Sequence, residues 1–396
     1  MSVKPLDGLA ILELGEGLSS AFCCKLLRDY GADVIKVENP GIGDPARRIG
    51  PFPEDQPHPG KSALFLYLNA GKKSLTLDIQ SDDGQEVIRR LVLETEAIVE
   101  TFSPGYLAAN DLPFEDLRRR KPRLLMTSIT PFGQTGPYSS YKANNLVSFA
   151  VGGQMAMTGD PDREPLLGAG YQADYQAGLH AFAATCIGLY ACNYQEIGQW
   201  IDISAQECQA TMLEFALPWH MYLGVGSGER RGNQLNATAG VFPVADGHVG
   251  IHVMQPQWQR FAEMVEPGLA THERFKDMGS RLINNDELTA MVFAWMADKQ
   301  RVELYHDLQR NKVPSAFVHD MDDLLASEHL NARGFWHEVD HSEAGSATHP
   351  GPPIRFADFE MEYEPAPSLG EHTDAILADI GVSGAEMAAM RARGAI

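Results

Sequence analysis

At 396 residues, 44% of them hydrophobic, the chain is long for one domain, comfortable for two, and too rich in apolar side chains to stay disordered. A formal net charge of −21 works against binding nucleic acid or an anionic lipid surface, while leaving room for a local basic pocket that takes a small anion. The opening MSVKPLDGLAILELGEG has a short apolar run cut by Glu13 and Glu16, and no apolar stretch is long enough to span a bilayer, so the expectation is a cytoplasmic protein without a membrane partner.

In chain order, LAILEL (residues 9–14) reads as a buried strand, SSAFCCKLLRDYG as a helix that stops at Gly31, and DVIKVE (33–38) as a second strand. This is a β-α-β unit with a right-handed crossover. KSLTLDI, AIVETF and RLLMTSITPFG follow as strands, separated by the helical DDGQEVIRRLVLET and FEDLRRR. Such alternation predicts an α/β fold with a mostly parallel sheet covered on both faces. Residues 174–194 suit one helix, and its small residues (Gly178, Ala181, Ala183, Ala184) predict close packing on every side. WIDISAQE adds a strand to the same layer. Beyond about residue 217 the texture changes: ERRGNQLNATAG is a polar connection, VFPVADGHVGIHV a hairpin around an Asp-Gly turn, and residues 256–310 are largely helical, which together predict a smaller α+β domain. PGPPIRFADFEMEYEPAPSLGEH has the composition of an extended surface segment, and two short helices close the chain. The five cysteines, Cys23, Cys24, Cys186, Cys192 and Cys208, form no CxxC pair and no metal-ligand spacing, which fits reduced, core-packed thiols and no metal site.

The first turn carries GEGLSS, with Gly15, Gly17 and Ser20, and Glu38 stands where a dinucleotide fold places its ribose-binding acid. The third glycine is missing. A nicotinamide-dependent dehydrogenase is thus one alternative, a phosphate-bearing ligand at the helix start a second, and a plain tight turn a third.

LLRDYGADVIKVENPGIGDPAR, LNAGKKSLTLDIQSDDG, SITPFGQTGPY, IGQWIDISAQE and RGFWHEVDHSEAG, with VPSAFVHDMDDLLASEHLNARG and APSLGEHTDAILADIGVS toward the end, resemble successive blocks of the class III CoA-transferases, the CaiB/BaiF type that includes formyl-CoA transferase and carnitine CoA-transferase. The resemblance spans nearly the whole chain. It implies a large Rossmann-like CoA-binding domain built from both chain ends (1–217 and 335–396), a smaller α+β domain (218–334), and an interlaced homodimer. The reaction it implies moves CoA from an acyl-CoA to a free carboxylate, with no permanently bound cofactor. The family's nucleophilic aspartate, placed just before a small-residue helix, corresponds to Asp174.

Elementary chemistry agrees with that assignment. Exchange of CoA between two carboxylates is nearly isoenergetic, so a carboxylate nucleophile that stores the activated acyl bond covalently is sufficient. A helix start favours its ionised form, and small neighbours (Gly168, Gly170, Ala173) admit a thioester. Read without the resemblance, an isolated acid before a helix is an N-cap. The resemblance further implies CoA contacts at Leu18 and Ser19, at Asn39, at Leu77, Asp78, Ile79 and Gln80, at Thr101, Phe102 and Ser103, and at Lys142 and Asn145. Arg47 either pairs with phosphate or holds its loop.

The chain departs from the family at Asn39 and Ala109, where relatives carry arginine, and at His252–Pro256 (HVMQP), where formyl-CoA transferase has a glycine-rich loop; His252, Met254 and Gln255 are candidates for shaping substrate choice. α-Methylacyl-CoA racemase, on the same fold, uses a His-Asp pair where this chain reads Asn144-Asn145, and no histidine lies between His58 and His180. Asparagine cannot relay that proton, so racemization is disfavoured. A non-catalytic CoA-binding protein is argued against by Asp174, and a metal hydrolase by the lack of ligand spacing.

Overall fold

The alternating apolar runs form a sheet of six parallel strands, β1 (Ala10–Glu13), β2 (Asp33–Glu38), β3 (Lys73–Thr76), β4 (Ala97–Glu100), β5 (Leu125–Thr130) and β6 (Trp200–Ser204), in the order β3-β2-β1-β4-β5-β6. This is the doubly wound order of Rossmann-like sheets. The computed structural model describes residues 4–213, 216–224, 230 and 232–396; the first three residues of the opening, and Glu229 and Arg231 of the polar connection, lie outside the described residues.

Successive side chains on a strand face opposite ways, and β1 shows what that does here. Leu12 joins one buried layer with Leu75, Ile98 and Met126, under helix α2 (Asp82–Leu91) and the helix α3 (Phe114–Arg120). Its neighbour Ile11 joins the other, with Val34, Val99 and Leu125, under α1 (Leu18–Asp29). The closing helices Thr373–Asp379 and Gly384–Arg393 place Ile376, Leu377, Met387 and Met390 in the first layer, so both ends of the chain build one unit. That unit comprises Met1–Gln154, Leu167–Phe215 and Arg333–Ile396.

Between β5 and β6 run α4 (Asn145–Val151) and the 24-residue α5 (Gln172–Gln195). The small residues of α5 explain how closely it packs. A Cβ on Gly178 would lie 2.6 Å from the carbonyl oxygen of Ser19 on α1, and one on Gly188 would lie 2.7 Å from Leu125 of β5. The packing is not on every side, however. Leu179, Ile187, Tyr190 and Tyr194 are all at least half exposed, because the sheet and α1 cover only one face of the helix.

RGFWHEVDHSEAG, which has no clean apolar alternation, forms most of a hairpin of strands Trp336–His341 and Gly345–Pro350. His341 and His349 meet inside it at 3.2 Å, and burial holds both imidazoles below their usual range, His349 at about 4. The following segment 351–370 has no regular structure and is tied down by Glu362 to Lys4 (2.8 Å) and Glu364 to Arg28 (2.6 Å).

The second unit, Met155–Leu166 with Ala216–Ala332, has its own antiparallel sheet of four strands, β7 (Gln234–Asn236), β8 (Ala239–Val244), β9 (Gly247–His252) and β10 (Ser315–Phe317), ordered β10-β9-β8-β7. Phe242, Val249, Trp258, Phe261 and Val292 centre its core. Residues 155–166, expected in the larger domain, belong to this unit because Arg230 donates to the carbonyls of Asp160 (3.0 Å) and Arg163 (2.7 Å) and Gly232 N–H to that of Gly159 (3.1 Å). His252, Met254 and Gln255 lie at the end of β9, where Gln255 accepts from Arg281 at 2.5 Å.

Candidate active site

In a doubly wound sheet ligands bind outside the carboxyl ends of the strands, where the strand order reverses. Here β1 and β4 flank that point. The turn after β1 is held from three sides. Lys36 Nζ donates to the carbonyl of Gly15 (3.3 Å), Asp44 accepts from Gly17 N–H (3.3 Å), and Thr101 Oγ1 accepts from Glu16 N–H (2.8 Å) while donating to its carbonyl (3.0 Å). Gly17 adopts φ 82°, a conformation only glycine takes without strain, and α1 starts on the next residue.

Beneath the turn lies a buried network of six charges. Lys36 bridges Glu13 (2.7 Å) and Asp44 (2.8 Å), and Lys72 bridges the other oxygen of Glu13 (2.7 Å) and the carbonyl of Ala21 (3.0 Å). Arg47 grips Glu38 through two bonds of 2.7 Å each. Burial alone would neutralise these groups. Against it, Asp44, Glu13 and Glu38 raise the Lys36 ammonium, and Lys36 and Lys72 lower the Glu13 carboxyl.

The network settles two expectations. Glu38, 3% exposed, also accepts from Ser74 Oγ (2.7 Å) and Asp44 N–H (3.0 Å), so both oxygens are occupied and it is not a free ribose-binding acid. Arg47, 1% exposed and stacked 3.7 Å over the Phe65 ring, holds its loop and is closed to phosphate.

Asp174 sits in the first turn of α5, two residues after its start, so it is neither before the helix nor its N-cap; Tyr171 occupies that position, without a side-chain cap. Burial pushes the Asp174 carboxyl up from 3.8 to about 6. The helix start, expected to favour ionisation, is outweighed: a rise of about two pH units corresponds to about 3 kcal/mol, against about 0.3–1 kcal/mol from a helix terminus. At neutral pH the group is still mostly ionised, and poorly hydrated. The first two turns of α5 also meet the start of α1, through the edge-on contact of Tyr175 with Phe22 at 4.8 Å and the approach of Gly178 to Ser19.

Several expected CoA contacts come together around the turn after β4. Phe102 stacks on Tyr106 (4.5 Å), Gln80 donates to the Tyr106 hydroxyl (2.9 Å), and Lys142 donates to Ser103 Oγ (3.1 Å). Asp78 accepts from the Gln80 N–H (3.0 Å) and fixes that loop. Leu77, Ile79 and Leu18 are buried in apolar clusters, which leaves only their backbone for a ligand. Asn39 is exposed at the end of β2, its carbonyl accepting from Gly43 N–H at 2.9 Å. Asn145 is a different case. Its side chain is 8% exposed and both polar atoms are engaged: Oδ1 accepts from Ala173 N–H (2.8 Å) and Nδ2 donates to the Gly170 carbonyl (3.3 Å). Asn144 caps α4 by accepting from Val147 N–H (3.2 Å), so neither asparagine is placed as an acid or base.

One buried group escaped the sequence reading. Glu100, at the end of β4, borders a cavity of about 180 Å³ walled by Phe102, Tyr106, Phe114 and Trp200. Trp200 can only donate, so its bond to Ser128 Oγ (2.8 Å) turns the Ser128 proton toward Glu100, which also accepts from Phe102 N–H (2.6 Å). Burial, with Asp202 nearby, pushes Glu100 up to about 7. An acid inside a β-strand run, as in AIVETF, gives no sequence signal of this. Among the described residues no group of three or more metal-binding side chains gathers, and no helix is long and apolar enough to cross a membrane.

A doubly wound sheet with a half-buried carboxylate and a lysine–serine pair near the carboxyl ends of its strands is the arrangement of a crevice-binding α/β protein. Comparison with known proteins narrows the class. The profile of CoA-transferase family III matches residues 6–373. Succinyl-CoA:(R)-benzylsuccinate CoA-transferase subunit BbsE of Thauera aromatica is 32% identical, over 95% of this chain and 94% of its own. Succinyl-CoA–D-citramalate CoA-transferase of Chloroflexus aurantiacus is 31% identical over 98% of each. Among solved structures, a CAIB/BAIF family protein from Brucella suis superposes with a TM-score of 0.84 at 31% identity, covering 96% of this chain and all of that one. The chain belongs to CoA-transferase family III and is a CoA-transferase.

Proposed function

We propose that the protein moves CoA from an acyl-CoA to a free carboxylic acid with Asp174 as covalent nucleophile. The observation that carries this is the Asp174 carboxylate itself, half-buried in the first turn of a helix of small residues, and raised to about 6 by burial. Such a group is deprotonated at neutral pH yet thinly solvated, which suits attack on a thioester.

Asp174 Oδ attacks the thioester carbonyl, and the C–S bond breaks to give a mixed anhydride and CoA thiolate. The thiolate attacks the aspartyl carbonyl, releasing the donor acid and leaving an aspartyl-CoA thioester. The acceptor carboxylate attacks that thioester, and the freed thiolate takes the acyl group from the resulting anhydride. No water or external energy enters the balance. N–H groups at the start of α5 other than that of Ala173, which Asn145 already takes, suit the oxyanions. Lys142 and Ser103 suit a CoA phosphate, with Phe102, Gln80, Thr101 and the backbone of Leu18, Ser19, Asn39 and Leu77–Ile79 lining its path. The names of the relatives make succinyl-CoA the first donor to try. A second copy of the chain suits the exposed apolar face of α5, as expected of an interlaced homodimer.

The test is to incubate the protein with succinyl-CoA and a panel of other acyl-CoAs in the presence of hydroxylamine, then map modified peptides by mass spectrometry. A hydroxamate on Asp174 is expected. An enzyme that exchanges CoA while Asp174 remains unmodified would sink the proposal.

A further inference from the structure

We infer that Asn145 is a positioning residue for the Asp174 carboxylate and takes no part in holding CoA through its side chain. The inference rests on Asp174 being the nucleophile.

Helix α5 has no cap of its own. The first four N–H groups of a helix lack intrahelical partners, and a polar side chain at the N-cap usually serves one of them. Tyr171, in that position, offers nothing. Asn145, 28 residues upstream, supplies the missing acceptor: its Oδ1 takes the N–H of Ala173 at 2.8 Å. Its Nδ2 meanwhile reaches the carbonyl of Gly170, the residue before Tyr171, at 3.3 Å. One amide thus clamps the backbone on both sides of the first turn, and the residue after Ala173 is Asp174.

The clamp has a firm base. Asn145 is the first residue of α4, whose start is fixed by Asn144 through Val147 N–H. Two adjacent asparagines therefore secure the starts of two helices. Upstream, Lys142 joins Ser103, so residues 142–145 run from the loop beside the β4 turn to the helix that carries the nucleophile.

The chemistry of the amide matters. The site needs an acceptor toward Ala173 and a donor toward Gly170, and the Ala173 contact is one residue from a carboxylate already disfavoured by burial. Asparagine provides both and adds no charge. Aspartate would keep the acceptor, lose the donor, and place a second negative charge near Asp174, which raises the pH at which Asp174 ionises. Alanine would provide neither bond. Tyr175, the titratable neighbour that feels Asp174, is pushed above the ordinary phenol range and does not interfere near neutrality.

The experiment compares full-length wild type, Asn145→Ala and Asn145→Asp. CoA affinity is measured by calorimetry, and the rate of Asp174 acylation at saturating succinyl-CoA is measured by rapid quench between pH 5 and 9. CoA affinity is expected to stay within about twofold in both variants. The saturated acylation rate of Asn145→Ala is expected to fall about tenfold or more from lost alignment. The pH midpoint of acylation in Asn145→Asp is expected to rise by about one unit, which a purely structural side chain would not cause. Weakened CoA binding with an unchanged saturated rate would make Asn145 a CoA contact and overturn the inference, as would an unmoved pH midpoint. If Asn145→Ala does not fold, the Asn145→Asp midpoint decides alone. A wild type that exchanges CoA without acylating Asp174 removes the nucleophile reading and this inference with it; a wild type that acylates, with Asn145→Ala as fast, removes only the inference.

Discussion

Replacing Asp174 by asparagine should abolish transfer and stabilise the protein. The carboxyl has its ordinary value of 3.8 in the unfolded chain and about 6 in the folded one. The folded state therefore binds the proton more tightly, and wild-type stability falls as pH rises through the window between those values, with the full penalty above about 6. At pH 7.5 the penalty approaches about 3 kcal/mol, and at pH 4.5 only about 1 kcal/mol remains, because the folded group is by then protonated. Asparagine never ionises and escapes it. Urea denaturation of both proteins at the two pH values, followed by circular dichroism, should show Asp174→Asn gaining about 2 kcal/mol more at pH 7.5 than at pH 4.5. The comparison across pH removes any constant effect of exchanging oxygen for an amide. Equal gains at the two pH values, or a loss at pH 7.5, would refute the claim that burial dominates this carboxylate.

Two further outcomes follow from the surfaces of α5. Gly178→Ala drives a methyl group against the backbone carbonyl of Ser19, whereas Gly188→Ala meets only the flexible ends of Leu125 and Ile201; chemical denaturation should show the first losing about 2 kcal/mol and the second staying within about 1 kcal/mol of wild type. Ile187, 69% exposed in the chain, lies on the face proposed to meet a second copy, so Ile187→Glu should convert a sedimenting dimer to monomer without unfolding it; a wild type that sediments as a monomer would count against that interface.

The parallel sheet was legible because a strand covered on both faces must be apolar along its length, as in LAILEL and AIVETF, and because helices must return each crossover. The identity of the family was legible in blocks spread over the chain. The six-charge network was not. Lys36 and Glu38 alternate with Ile35 and Val37 in DVIKVE as side chains bound for solvent would, and their burial is decided by partners as distant in sequence as Lys72 and Glu13. The role of Asn145 was hidden for the same reason, since its partners lie 25 and 28 positions away. In the hairpin of strands Trp336–His341 and Gly345–Pro350, histidines fill buried positions that an apolar pattern would have marked.

Because Glu13, Glu38 and Asp44 are matched one for one by Lys36, Lys72 and Arg47, the floor beneath the crevice contributes no net charge. The formal charge of −21 therefore resides in the rest of the chain. A ligand bearing several phosphates meets repulsion at long range and attraction only on arrival, from single cations such as Lys142 and from backbone N–H groups. Salt shortens the reach of that repulsion to about 8 Å at physiological ionic strength. Capture of such a ligand should then quicken as salt is added, the reverse of enzymes that draw anions toward a basic mouth.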